Sequence, residues 1–309
     1  MFLFAFSSPI LGYDKNYYAY TVKEEDGIDS FYLHNKKEGE VLVFCLQKGF
    51  QQPPYQQEGM TIQYKRLSEN ELPLDKVCVN RIKMILYLGY PYNGYGFQEK
   101  YKMDKLSAKK ETQRALWLAI QWQKVNDIQD KKQELKERSS YLQALLFSAW
   151  SIPFENVEIS KPFIVLEKKN DCYQSDFVAL GKGVTLLSLQ NNDLQFLNEN
   201  NEKQDTVQAQ ETVIIQSQGK VKNDEMKVSY GEYQLVYFKA IDKEGYQDMT
   251  ALYRQDKEDS IPIRWMDEVN ILSGKGILCV LFMAVVLIGS TIGYCYYRNR
   301  KHSQKKHYC

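Results

Sequence analysis

The chain has 309 residues, with 40 Lys/Arg against 39 Asp/Glu and a formal charge of +1. Such a balance gives no general attraction for polyanions and removes the electrostatic basis for nucleic-acid binding. Only His34 of the three histidines lies before residue 300, and no Cys-x-x-Cys pair occurs, so a multi-His or structural zinc centre is not expected and no cofactor is called for.

Met1 to Phe6 is apolar without a preceding basic residue, and residues 1–12 are read as a residual signal or targeting segment. Segments 17–22, 31–33 and 41–46 carry strand patterns. The last holds the continuous apolar run Val41-Leu42-Val43-Phe44, which delivers Cys45 to an interior. Gln51-Gln52-Pro53-Pro54 opens a loop. The apolar run 82–87 stops at Gly89-Tyr90-Pro91-Tyr92-Asn93-Gly94-Tyr95-Gly96, whose Gly, Pro and Asn residues favour turns. Ser107 is expected to cap a helix reaching about Ile128, with Ala115, Leu118, Ala119, Trp122 and Val125 facing inward. Residues 130–138 are charged and solvated. A more apolar helix over 141–150 ends before Pro153. Segment 163–166 reads as a strand, Asn170-Asp171 as a turn and 172–180 as a further strand.

From Val184 the pattern changes to short strands with polar loops: 184–189, 194–197, 212–217, 226–230, 233–240 and 249–253. This spacing predicts a β-sandwich stalk over 182–260, followed by a linker over 261–275. Residues 276–297 form an uncharged apolar run long enough to span a bilayer as a helix. Tyr294, Tyr296 and Tyr297 crowd its end, and the basic tail 298–309 follows. The positive-inside rule places that tail in the cytoplasm and everything before the span outside, giving a single-pass membrane protein at the cell surface or associated with the cell wall.

Cys45, Cys78 and Cys172 are the cysteines before the span, an odd number that leaves at least one thiol outside a disulfide. Pairing of Cys78 with Cys172 stays open, as does a Cys45/His34 dyad, the one route to Cys-hydrolase chemistry. An inert buried thiol is the commonest fate of a lone strand cysteine.

Three short motifs carry a more specific message. Phe44-Cys45-Leu46-Gln47, Thr112-Gln113-Arg114-Ala115-Leu116-Trp117 and Tyr173-Gln174-Ser175-Asp176-Phe177-Val178 resemble the motifs of Gram-positive surface thioester domains, the second being the Thr-Gln-x-Ala-apolar-Trp motif. The resemblance covers about residues 15–180. It implies an α+β thioester domain over 13–181, with a β-sandwich or barrel core and a helical subdomain, followed by the all-β sandwich stalk and one C-terminal transmembrane helix. It also implies an internal thioester between Cys45 and a Gln side chain. Gln174 is the favoured donor because it follows a strand and turn, as in the family; Gln143, in Leu142-Gln143-Ala144-Leu145-Leu146-Phe147, is the alternative. Phe44, Thr112, Gln113, Ala115, Trp117 and Tyr173 would shape the pocket. Gln113 and Trp117 are four residues apart on one helix face, and Trp117 would keep water from the bond.

Chemically, such a bond is a stored electrophile. Attack by an amine of a ligand, as on a Lys-containing host or neighbouring-cell surface protein, leaves an amide and a free thiol. The implied protein is therefore a covalent adhesin without catalytic turnover. The alternative is a non-covalent surface receptor or structural protein that keeps the fold without the bond. The segment Ser260-Ile261-Pro262-Ile263-Arg264-Trp265 does not match a sortase signal, so anchoring is expected to rest on the membrane helix.

Overall fold

The computed structural model describes residues 16–23, 29–56, 62–241 and 245–266. Four strands open the described chain: β1 (Asn16–Lys23), β2 (Asp29–Asn35), β3 (Gly39–Cys45) and β4 (Ile62–Leu67). Helices follow: α1 (Lys76–Leu88), α2 (Phe97–Lys100), α3 (Lys105–Gln121), α4 (Lys132–Leu135) and α5 (Ser140–Ser151). The remainder is β: β5 (Glu158–Ile159), β6 (Ile164–Lys169), β7 (Cys172–Gln174), β8 (Gly181–Lys182), β9 (Leu186–Leu189), β10 (Leu194–Leu197), β11 (Lys203–Gln204), β12 (Thr206–Gln208), β13 (Ile214–Ser217), β14 (Glu225–Ala240) and β15 (Met249–Met266).

The sheet closes on itself in its first part. Neighbours run β15-β3-β2-β1-β4-β14, and β14 pairs back with β15. Alternate side chains of a closed sheet point inward. Tyr17, Ala19, Leu33, Val43, Cys45, Ile62, Tyr64, Val236, Phe238, Met249 and Ala251, drawn from all six strands, form one buried cluster that is the barrel interior. The intervening residues Phe44, Leu46, Leu235, Tyr237 and Leu252 belong to a separate cluster with α1, α3 and α5, so the helices pack on the barrel's outer face.

Helix boundaries follow caps. Asp104, not Ser107, caps α3, its carboxylate accepting from Leu106 N at 3.0 Å and Ser107 N at 2.9 Å, and the helix stops at Gln121 rather than near Ile128. Ser139 caps α5 by accepting from Leu142 N at 3.2 Å. The apolar run 82–87 belongs to α1, where Ile82, Ile85 and Leu86 are buried.

A second core gathers Ile164, Leu166, Leu187, Phe196, Ile215, Met226, Val228, Ile261 and Ile263. It is the β region expected after residue 182, yet it is not a separate stalk. The strand pair β14–β15, in register from Glu225↔Pro262 to Phe238↔Met249, runs through both cores. Its near half lines the second core, and its far half completes the barrel through Tyr237↔Leu67 and Met249↔Cys45. The expected breaks at 181/182 and 260/261 are therefore not breaks in the sheet. Strand β15 extends through Pro262 to Met266, where it pairs in parallel with β6. The sequence pattern ends this strand at residue 253 because the next seven residues are polar on both faces, as a solvated ribbon between two cores requires.

Among the described residues no helix is long and apolar enough to cross a membrane. The segment 276–297 and the basic tail lie outside the described residues, as do residues 1–12.

Candidate functional site

Cys45 ends β3 inside the barrel, fully buried. Burial pushes its thiol well above the usual cysteine range, because a thiolate there would lose its hydration. Its backbone is held from the helical side. Gln113 on α3 accepts from Cys45 N at 2.8 Å with Oε1 and donates to Cys45 O at 2.7 Å with Nε2. The side-chain amide thus replaces a neighbouring strand where β2 no longer accompanies β3: the β2–β3 register ends at Phe31↔Val43. Asn156 does the same at Tyr233, donating to its O at 2.9 Å and accepting from its N at 2.8 Å.

The other motif residues take distinct places. Thr112 is buried where α3 meets the end of α1: its hydroxyl accepts from Tyr90 N at 3.0 Å and donates to Ala108 O at 2.7 Å. A Cβ on Gly89 would lie 2.4 Å from Thr112 Oγ1, so the glycine allows this close approach. Replacing Thr112 by Val keeps the shape and leaves the Tyr90 N–H without its acceptor, an expected loss of about 1–3 kcal/mol in denaturant unfolding. Ala115 is fully buried in the helical core, and Phe44 is buried on the helix-facing side of β3. Trp117 packs against the barrel-interior cluster that contains Cys45.

Gln174 is not brought to Cys45. It lies on β7, paired with Gln216 of β13 and with Glu167 of β6, and Glu167 pairs with Met266 at the far end of β15. Met249, opposite Cys45, starts that strand; at about 3.3 Å per residue the strand separates the two ends by roughly 56 Å. Tyr173 stacks edge-on against Trp265 in the second core, centroids 5.0 Å apart. Gln143 is on α5 and donates to Arg138 O at 2.9 Å. His34 is exposed opposite Glu40, five residues before Cys45 on β3, roughly 17 Å along the strand, so no Cys45/His34 dyad forms. Cys45, Cys78 and Cys172 are all free thiols, which leaves the Cys78–Cys172 pairing unmade. Cys78 is buried in the helical core, where burial first, and Asp75 next, push it up to about 11. No group of three or more metal-ligating side chains occurs among the described residues.

The barrel brings a different glutamine to the cysteine. Gln247 precedes Met249 by two residues, and Met249 is the cross-strand partner of Cys45. In an extended chain, residues two apart share a face, and diagonal neighbours in an antiparallel pair lie within side-chain reach. The approach is held by several bonds. Leu46 N donates to Asp248 O at 2.9 Å, Gln247 N to Gln51 O at 3.2 Å, and Tyr64 Oη to Gln247 O at 3.0 Å. Gln47, the polar position of the first motif, accepts from Asp248 N at 3.0 Å and donates to Asp248 Oδ2 at 3.3 Å. Tyr237 Oη donates to the same carboxylate oxygen at 2.6 Å. Burial, reinforced by that carboxylate, raises the Tyr237 phenol above its ordinary range and keeps it a donor. Gln247 is 5 % exposed.

A family model described as "TED: Thioester domain" matches residues 42–146. This segment belongs to the thioester-domain family. It contains Cys45, Thr112, Gln113, Ala115 and Trp117, while Gln247 lies beyond it. Solved structures resemble the chain as well. The N-terminal thioester domain of a surface protein from Clostridium perfringens has 14% identity over 78% of this chain and 99% of its own, with a TM-score of 0.41. The N-terminal domain of the Streptococcus pyogenes pilus tip adhesin Cpa has 17% identity over 78% of this chain and 95% of its own, at 0.39. The thioester domain of fibronectin-binding protein SfbI from Streptococcus pyogenes has 15% identity over 77% and 92%, at 0.38. No curated protein matches the chain.

The thioester-domain donor motif, apolar-Gln-x-x-apolar-apolar, passes over Tyr246-Gln247-Asp248-Met249-Thr250-Ala251 because Thr250 stands at an apolar position. The available signal was Gln247's place at the head of a strand, in a run that begins with an aromatic residue as Tyr173-Gln174 does.

Proposed function

We propose that this chain is a cell-surface covalent binding module in which Cys45 and Gln247 form an internal thioester. The observation that supports this reading is the β3–β15 pairing: Met249 lies opposite the buried Cys45, and the buried Gln247 stands two residues before it. Cys45 Sγ attacks Gln247 Cδ, an S–C bond forms, the C–N bond breaks, and ammonia leaves with the thiol proton. Holding the two groups together replaces a bimolecular encounter, an advantage worth roughly 7–11 kcal/mol for well-oriented groups. An incoming amine, as from a ligand lysine, then attacks the carbonyl carbon; the new C–N bond replaces C–S, and the amine proton passes to the departing sulfur. Each module reacts once, so it is a capture device rather than a turnover enzyme. Its ligand is an amine-bearing surface protein of a host or neighbouring cell, and the apolar run 276–297 holds the module at the membrane with the reactive domain outside.

Intact mass of the purified full-length chain tests this. The wild type is expected to be lighter than its sequence by one ammonia, to add one methylamine on incubation, and then to show one new thiol. Cys45→Ala is expected to lose both the deficit and the adduct while keeping its circular dichroism. A wild-type mass equal to the sequence mass would leave a non-covalent receptor with this fold.

A further inference from the structure

The barrel strands close in the order β15-β3-β2-β1-β4-β14, so β4 stands three strands from β3 in either direction and faces it across the interior. From β4 comes Tyr64, fully buried in the same cluster as Cys45 and Met249. Its hydroxyl donates to Gln247 O at 3.0 Å. Burial first, then the nearby Cys45 and Asp248, push this phenol above its ordinary range, so it stays protonated and remains a donor. Gln247 lies outside the β3–β15 register, which begins at Met249↔Cys45. Its backbone is held at both ends instead: its N–H donates to Gln51 O at 3.2 Å, and its carbonyl accepts from Tyr64. Of these two contacts only the second comes from a side chain. Without it a buried carbonyl loses its donor, and the chain at residue 247 is free to shift.

Resting on the Cys45–Gln247 reading above, we infer that Tyr64 is a positioning residue for thioester formation, which fixes the Gln247 carbonyl and thereby holds the carboxamide where Cys45 attacks it. It acts through the backbone of Gln247 and not on the reacting atoms. In formation, the S–C bond is made and ammonia is lost only while the two side chains are held together, and a misplacement of about 1 Å can cost on the order of 10²-fold. Once made, the S–C bond itself ties β3 to residue 247, and the amine that opens it arrives from solution. Loss of the Tyr64 hydroxyl therefore slows the making of the bond and spares its opening. A hydroxyl that served folding stability alone would change neither rate in the folded chain.

The full chain is made by cell-free synthesis with detergent and sampled over time, and the ammonia deficit is read by intact mass. Tyr64→Phe is expected to acquire the deficit on the order of 10- to 100-fold more slowly than wild type. Molecules that carry the bond are expected to add methylamine at the wild-type rate. Replacement of Tyr64 by 4-fluorophenylalanine fills the space of the hydroxyl without donating; it is expected to give the same split even where the Phe variant folds poorly. Replacement by 4-aminophenylalanine returns a donor and is expected to restore formation. Tyr17→Phe is the control: Tyr17 is buried in the same cluster, but its hydroxyl accepts from Arg66 Nη1 at 3.3 Å, and formation is expected to keep the wild-type rate. Formation at the wild-type rate in both non-donor variants would overturn the positioning role, as would equal slowing in Tyr17→Phe or methylamine capture slowed as much as formation. A wild-type chain without the ammonia deficit would instead overturn the thioester reading itself, and the role of Tyr64 with it.

Discussion

Replacing Gln247 by Ala is expected to remove the ammonia deficit and methylamine capture completely, while Gln174→Ala and Gln143→Ala leave both at wild-type levels. Gln247 is set beside Cys45 by Leu46 N, Gln51 O, Tyr64 Oη and the Gln47 amide, four contacts from three different strands and loops. Gln174 is held in the second core by β6 and β13. The variant should stay folded, because the contacts that fix residue 247 use its backbone and those of Asp248, not its carboxamide. Thiol labelling under native conditions is a poor readout here: burial keeps the freed Cys45 thiol protonated, and the reactive form is the thiolate. Mass after denaturation avoids that difficulty. Peptide mapping that finds Cys45 joined to residue 174 or 143 would refute the assignment.

Gln113→Ala is expected to be the most damaging single change in the Thr-Gln-x-Ala-apolar-Trp motif. It leaves Cys45 N and Cys45 O without partners at once, in a region closed to water. At about 1–3 kcal/mol for each buried group left unsatisfied, a loss of about 2–6 kcal/mol is expected in denaturant unfolding. Thioester formation should fall with it, because the end of β3 is then free to move relative to Met249 and Gln247. Gln113→Glu separates the two effects. It keeps the length and the acceptor for Cys45 N but turns a carboxylate oxygen towards Cys45 O, so it should be at least as harmful as Ala. If Gln113→Glu unfolds like wild type and still carries the ammonia deficit, the strand-replacing role of the amide is wrong.

Strand β3 was legible because it is short, apolar and continuous, and the burial of Cys45 followed from it. The α3 and α5 helices were legible from their spacing, and their caps moved the α3 boundaries rather than its existence. Thr112 and Gln113 were recognisable as a motif, but their work was not: a hydroxyl joining α1 to α3 and an amide replacing a strand are contacts between segments 22 and 68 residues apart.

The sequence by itself determined that Cys45 is buried, which helix carries the motif, and that a β-rich region follows the helices. It did so because apolar periodicity and local caps are written within a few residues of each other. Only the tertiary structure chose the glutamine for the neighbourhood of Cys45: Gln247, two residues before its strand partner Met249. That choice depends on β14 and β15 returning from the second core to close the barrel, a pairing of residues 45 and 249. The residues that make the return possible, 254–260, are polar on both faces and carry no strand pattern; closure of the sheet, which leaves no barrel edge unpaired, holds them extended.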